Sequence, residues 1–350
     1  MEIDIVRLLR EAVTHKASDL HLCTGAPPIL RVDGRLRGLN TAPLERDTIR
    51  EMIYRLMNDP QREKFDNEWE LDFSLQIKAV GRFRVNVHRQ RGNVEAAFRV
   101  VNEQIKSLRQ LGMPTIVEDL CRRESGFILV TGPTGSGKTT TMASMIDVIN
   151  ASRPCMIITI EDPIEFVHRH KRAIVKQREL LSDTRSFSRA LRQALRQDPD
   201  VITVGEMRDL ETIQTALTAA ETGHLVLATL HTPDVTQTID RVVDVFPPHQ
   251  QEQVRLQLAN SIQAIVAQQL LPIPGDRGRV VACEICIATP AVRQVIRSGK
   301  TEQIMTILQT STEGGMISMD KSLKNLYQQG LISYDDALSK ARYPENFDRI

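Results

Sequence analysis

An apolar run, Phe127-Ile128-Leu129-Val130, leads into Gly132-Pro133-Thr134-Gly135-Ser136-Gly137-Lys138-Thr139 and then into a helix-forming stretch. This pattern, G-x-x-x-x-G-K-[ST] between a strand and a helix, constrains the chain more than any other feature. Its glycines let consecutive backbone N–H groups turn inward around phosphate oxygens, and the helix start adds partial positive charge. Lys138 would reach the β- and γ-phosphates of a nucleotide, and the Thr139 hydroxyl would bind Mg²⁺.

The neighbouring sequence supplies the sheet such a loop requires. FILVTG (127–132), MIITIE (156–161), VITVGE (201–206) and LVLATLH (225–231) are short Val/Ile/Leu runs. They alternate with helix candidates at 137–150, 185–197 and 208–222, the last closed by Gly223. Continuous apolar runs alternating with helices predict parallel strands buried on both faces. Ligands bind such sheets beyond the carboxyl ends of the strands, where these runs finish in Glu161, Glu206 and His231. Glu161-Asp162-Pro163-Ile164-Glu165 adds further carboxylates there. One acid is needed to hold Mg²⁺, usually through water, and another to orient the attacking water. From about residue 249 the chain reads as mainly helical, with Val254, Leu258, Ile262, Ile265 and Val266 as a core-facing stripe.

The first third is different. Residues 3–13 have helical spacing, Pro27-Pro28 breaks the chain, and Val32-Asp33-Gly34-Arg35 reads as a hairpin turn. A helix is expected over about 45–65. Then Phe83, Val85 and Val87 alternate with Arg82, Arg84, Asn86 and His88, and Gln90-Arg91-Gly92-Asn93 makes a turn. The expected organisation is α/β overall: an α+β domain over 1–103, a linker at 104–114, and an α/β domain over 115–350. Two domains suit 350 residues.

Composition removes other classes. With 45 Lys+Arg against 44 Asp+Glu the net charge is +1, which fits neither a polybasic coat nor an acidic tail. At 41% hydrophobic and 25% charged the chain is globular, and only 4% aromatic content makes its core aliphatic. No apolar stretch is long enough for a membrane span, and MEIDIVRLLREAV lacks the apolar core of a signal peptide. Five scattered cysteines fit a reducing compartment, so a cytoplasmic protein is expected.

GPTGSGKTT, IEDPIEF, DPDVITVGEMRDLET, AAETGHLVLATLHT and IDRVVDVFP occur in the order and spacing of type II/IV secretion ATPases. They resemble most the branch of type IV pilus retraction ATPases. The resemblance runs from ASDLHL (17–22), RVDG (31–34) and GRFRVN (81–86) to YPENF (343–347). It implies a PAS-like N-terminal domain, a RecA-like ATPase domain and a ring-shaped homohexamer hydrolysing ATP with Mg²⁺. In that family Gly132–Thr140 is the Walker A loop, IEDPIEF the acidic box, VITVGE an atypical Walker B and GHLVLATLH the histidine box. Carried across, Lys138, Thr139 and Thr140 bind phosphates, Thr139 and Glu206 support the metal, and Glu165 or Glu161 activates water. His224 and His231 would sense nucleotide and couple it to domain motion.

Period-2 alternation places Arg82 and Arg84 opposite Phe83 and Val85, and Arg99 opposite Phe98. The resemblance makes these arginines trans-acting fingers for the γ-phosphate of a neighbouring subunit. It also implies a pilus base at the cytoplasmic face of the inner membrane. The partners there would be a platform protein and a paralogous retraction ATPase, with membrane association only through them.

Cys283-Glu284-Ile285-Cys286 lies in VVACEICI, an apparent strand, and has no second C-x-x-C to complete a zinc site. Buried thiols are expected. Extension and secretion ATPases typically carry a tetracysteine zinc motif and an additional N-terminal domain, and this chain is expected to have neither. Ala291-Val292-Arg293-Gln294-Val295-Ile296 stands where the retraction branch usually has AIRNLI. AIVAQQLLP (264–272) and GLISYDDAL (330–338) resemble the accessory retraction paralogue, whereas GEMRD and YPENF favour the principal motor. Two other readings are an ATP-switched regulatory ring and a RecA-like nucleic-acid translocase. The second would need a basic, aromatic-bearing stripe, and with +1 net charge and one Trp no nucleic-acid partner is expected.

Overall fold

A computed structural model of the chain describes residues 4–32, 34–101, 104–275, 278–310 and 313–344. Ile3 of the first expected helix, Asp33 of the expected turn and 345–347 of YPENF lie outside the described residues. The chain divides into two compact units, one of Met1–Gln104 with Glu165–Val167, the other of Ile105–Ile164 with His168–Ile350.

The first unit begins with α1 (Ile5–Thr14), β1 (Asp19–Leu22), β2 (Ile29–Val32) and β3 (Arg35–Gly38). Helices α2 (Arg46–Leu56) and α3 (Asp59–Glu68) precede β4 (Glu70–Ile77), β5 (Gly81–Gln90) and β6 (Asn93–Val101). The six strands form an antiparallel sheet in the order β3-β2-β1-β6-β5-β4. Phe83, Val85 and Val87 are fully buried and share one core with Leu20, Phe98 and residues of all three helices. The expected helix over 45–65 is two helices. Asn58 starts the second with a capping box, its side chain accepting from the Gln61 N–H at 2.9 Å while its own N–H donates to Gln61 Oε1 at 3.0 Å.

The second unit runs α4 (Ile116–Leu120), β7 (Gly126–Thr131), α5 (Lys138–Ser152), β8 (Met156–Glu161), β9 (Ile174–Glu179) and α6 (Phe187–Ala194). Then come β10 (Val201–Val204), α7 (Leu210–Glu221), β11 (Leu225–Leu230), α8 (Val235–Asp244), α9 (Pro248–Ser261), β12 (Ile262–Pro272) and β13 (Arg279–Ile287). Helices α10 (Pro290–Ser298), α11 (Gln303–Thr310), α12 (Met319–Gln328) and α13 (Tyr334–Lys340) end it. The seven-stranded sheet has the order β13-β12-β7-β11-β10-β8-β9, parallel except for β13. Each predicted apolar run is a buried strand whose residues alternate between two cores. Phe127, Leu129, Ile202 and Val226 face a core covered by α6–α11; Ile128, Val130, Ile157 and Leu227 face one covered by α4 and α5. Leu108 and Met113, within 104–114, are buried in the latter.

The region after 249 is mainly helical as expected, but it also holds two strands the sequence did not announce: α9 ends at Ser261 and the chain enters β12 without a loop, and β13 follows. Val254 and Leu258 lie on the helix, whereas Ile262, Ile265 and Val266 lie on a strand beside β7. All five are buried, so the stripe is core although its period is not helical throughout. Cys283 and Cys286 occupy opposite cores, and burial pushes each thiol up to about 12.

Candidate nucleotide site

Cross-strand register brings the predicted residues of the second unit to one edge. Thr131 of β7 is level with Leu230 of β11 and Ala267 of β12, and Val204 of β10 with Ala228 and Ile160. The segments that leave these strands, beginning at Gly132, His231, Gly205 and Glu161, therefore emerge on the same side.

The phosphate loop turns sharply at Gly132, where φ is +141°. A Cβ there would sit 2.3 Å from the Gln268 carbonyl oxygen and 2.6 Å from Ser136 Oγ, so only glycine passes. Gln268, buried on β12, braces the loop from behind by donating from Nε2 to the Ser136 carbonyl at 2.7 Å. Lys138 Nζ donates to the carbonyls of Gly132 (2.7 Å) and Pro133 (3.0 Å). Pro133, Thr134, Gly135 and Thr139 are exposed, and Gly137 and Thr140 half-buried. The glycine-lined turn with an exposed hydroxyl at Thr139 fits a phosphate chain and its hard cation, which prefers oxygen ligands.

Beside the loop runs a chain of polar contacts. Thr134 Oγ1 lies 3.4 Å from His231 Nδ1, His231 Nε2 lies 3.2 Å from Glu206 Oε1, and Arg208 donates to Glu206 Oε2 at 2.6 Å. The neutral Nε2–H tautomer satisfies both histidine contacts, donating to the carboxylate and accepting from Thr134. The hydrogen bond from Arg208, with the neighbouring His231, holds the Glu206 carboxyl below its ordinary range against the opposing effect of burial. The peptide before Glu206 is pinned as well. The Gly205 N–H donates to the Ile160 carbonyl at 2.8 Å, and the Gly205 carbonyl accepts from Thr229 Oγ1 at 2.5 Å.

Glu161 also reaches this edge, but its Oε1 accepts from Thr159 Oγ1 at 2.6 Å and Gln177 Nε2 at 3.0 Å. Glu165 is exposed and belongs to the first unit. His224 does not join the cluster. It precedes β11 whereas His231 follows it, about 20 Å apart at the usual rise per strand residue. Its Nδ1 lies 3.0 Å from the Ala219 carbonyl, against the end of α7.

In the first unit, Arg84 of β5 stands directly opposite Arg99 of β6, with Arg82 two residues along, so all three share the face turned from the core. Arg82 is half-buried and Arg84 exposed; Arg99 donates to Asp19 Oδ1 at 3.0 Å. Gln268, Gln177 and Arg208 were not singled out in the sequence. Arg208 lay inside GEMRD, but nothing local announced contacts such as that between Gln268 and Ser136. Among the described residues there is no group of three or more His, Cys, Asp or Glu suited to a metal, and no helix long and apolar enough to cross a membrane.

This fold, with a phosphate loop and an acid–histidine pair at one edge of a parallel sheet, defines a P-loop nucleotide-binding protein. The sequence model for the Type II/IV secretion system protein family matches residues 1–338, and the chain belongs to that family. It is 50% identical over 345 residues to the type IV pilus retraction ATPase PilT of Pseudomonas aeruginosa, covering 99% of this chain and 100% of that one. It is 46% identical over 342 residues to a twitching motility protein of Neisseria gonorrhoeae, covering 98% of this chain and 91% of the other. A crystal structure of the pilus retraction motor PilT with bound ADP matches with a TM-score of 0.94 and 49% identity, covering 100% of both chains.

Proposed function

We propose that this chain is an ATP-hydrolysing motor that powers type IV pilus retraction, and with it twitching motility, by driving pilin disassembly. The observation that carries the reading is the Thr134–His231–Glu206–Arg208 chain beside the phosphate loop. It occurs in a chain half identical, end to end, to a pilus retraction ATPase.

In this reading the backbone N–H groups of Gly132–Thr140 and the Lys138 ammonium hold the β- and γ-phosphates of ATP. Thr139 and, through water, Glu206 would hold Mg²⁺, which neutralises charge on the phosphate oxygens. His231, touching both the loop and Glu206, responds to the γ-phosphate. Glu165 or Glu161 of the acidic box orients and deprotonates the attacking water. His224 acts on no nucleotide held in its own chain's loop; it is positioned to brace α7 and β11.

Arg82, Arg84 and Arg99 act on a neighbouring subunit's nucleotide within a homohexamer, where such fingers are worth ~10³-fold or more in rate. Loss of γ-phosphate contacts after hydrolysis then shifts the balance between two arrangements of each subunit. The ring would work at the cytoplasmic face of the inner membrane on a platform protein of the pilus base, with a paralogous retraction ATPase as a second partner.

The test is ATPase rate against protein concentration, with size-exclusion mass, for wild type, Glu206→Ala and Arg84→Ala. Activity should rise as the hexamer forms, and both variants should lose turnover while retaining nucleotide. A monomer that hydrolyses ATP equally fast, with Arg84→Ala silent, would refute the trans-acting ring. Restoration of twitching in a strain lacking its principal motor separates that role from the accessory one.

A further inference from the structure

Strand β9 carries two polar side chains without a task in the mechanism above. Gln177 and Glu179 are two residues apart, hence on one face of the strand, and stand level with Thr159 and Glu161 of β8. Gln177 uses both ends of its amide. Nε2 donates to Glu161 Oε1 at 3.0 Å, and Oε1 accepts from the His168 backbone N–H at 2.7 Å. Glu179, buried, accepts from the Ile164 backbone N–H at 3.0 Å and from Ser182 Oγ at 3.1 Å. Its own N–H donates to Asp183 Oδ2 at 2.8 Å, which fixes the strand end that presents the carboxylate. Ile164 and His168 are both buried, and between them lie only Glu165, Phe166 and Val167.

We infer that Gln177 and Glu179 are positioning residues for the acidic box, tying both feet of the segment that carries Glu165 while holding Glu161 in place. The inference rests on the ATPase reading, in which a carboxylate here works on the attacking water. Three residues between two fixed N–H groups have little freedom to drift, so the strand face sets where the Glu165 backbone begins and returns. Neither side chain belongs to the phosphate loop or the Glu206–His231 pair. Removing them should therefore disturb the water-activating step and leave nucleotide binding alone. A displacement on the order of 1 Å in such a group lowers turnover by ~10²-fold.

The experiment compares the full-length hexamer of wild type, Gln177→Met, Glu179→Leu and Glu179→Gln. For each, steady-state kcat and KM for ATP, affinity for a fluorescent ADP analogue and backbone amide exchange over 162–169 are measured. Gln177→Met and Glu179→Leu should lose roughly 30- to 100-fold in kcat, with KM and ADP affinity within about threefold of wild type. Exchange at the Ile164 and His168 amides should accelerate. Glu179→Gln keeps an oxygen acceptor for the Ile164 N–H, so it should recover most of the turnover lost in Glu179→Leu. Unchanged kcat in Gln177→Met and Glu179→Leu overturns the inference, as does a loss of kcat matched by an equal loss of ADP affinity. A wild-type hexamer without turnover would instead defeat the ATPase reading, while amide exchange would still decide whether β9 holds the segment.

Discussion

His168 gives the second unit a pH dependence whose size follows from its surroundings. The residue is 7% exposed, and its Nδ1 is buried without a hydrogen-bond partner. Burial, reinforced by Lys171 and opposed by Asp147, pushes the imidazole from 6.5 down to about 4. The folded chain therefore resists a proton that the unfolded chain accepts. This contribution is complete above about pH 6.5 and is lost progressively as pH falls toward about 4. From about pH 7.5 to about 5.5 the loss is ~1.3 kcal/mol by linkage. For a unit of this size that is roughly 3–5 °C of melting temperature. Melting curves of wild type and His168→Leu across that range provide the assay. The substitution's own effect on packing shifts its curve at every pH, so the slope is what matters. Wild type should lose those few degrees on acidification and the variant should not. Parallel pH dependences would refute the argument that an uncharged imidazole is needed here.

Two other outcomes are open to direct measurement. A Cβ on Gly205 would meet the Ile160 carbonyl oxygen at 3.0 Å and Glu161 Cα at 3.3 Å, both backbone atoms. Gly205→Ala should therefore destabilise by about 1–3 kcal/mol in denaturant titration and lower ATP turnover by displacing Glu206. Alkylation of the native protein followed by mass spectrometry should modify the half-buried Cys23 and Cys155 first. Cys121, Cys283 and Cys286, which burial pushes up to about 12, should react only on unfolding.

What could be read in the sequence, and what could not, follows from the range of each interaction. Strands β7, β8, β10 and β11 were legible because burial on both faces makes each an unbroken aliphatic run. The arginine face of β5 was legible from period-2 alternation. β12 was not, because Val254, Leu258 and Ile262 continue a helical i, i+4 spacing past the real helix end. No glycine or proline marks the change at Ile262, and the β-branched Ile262, Ile265 and Val266 were the available warning. The break at Asn58 did have a local sign, the Asn-x-x-Gln capping box of Asn58 and Gln61 with Pro60 inside it at the helix start. In the site, the phosphate loop is contiguous and therefore visible. Its brace, Gln268, lies 132 residues from Ser136, and only the sheet order makes them neighbours. His224 was grouped with His231 through the resemblance of GHLVLATLH to the family's histidine box, yet the strand between them places its two ends at opposite edges of the sheet.

The carboxylates of the second unit's strand ends and the acidic box differ in chemistry because their donors differ. Glu206 has both oxygens engaged, one by Arg208 and one by His231, and its carboxyl is held below the ordinary range. A group so stabilised as an anion is a poor proton acceptor, but it presents a fixed negative charge near neutral pH, which suits support of a metal. Glu161 spends one oxygen on the Thr159 hydroxyl and the Gln177 amide. Moving it to meet water would break both bonds and would loosen the side chain that also holds the His168 N–H. Glu165 is exposed, on a segment whose two flanking N–H groups are fixed to β9. Within the proposed function, the hydrogen bonds that commit Glu161 to structure make Glu165 the better candidate of the two proposed carboxylates. Substituting the two separately distinguishes them. Glu165→Gln should abolish turnover with folding intact, whereas Glu161→Gln should act chiefly by loosening the segment, with faster amide exchange at His168 as its signature.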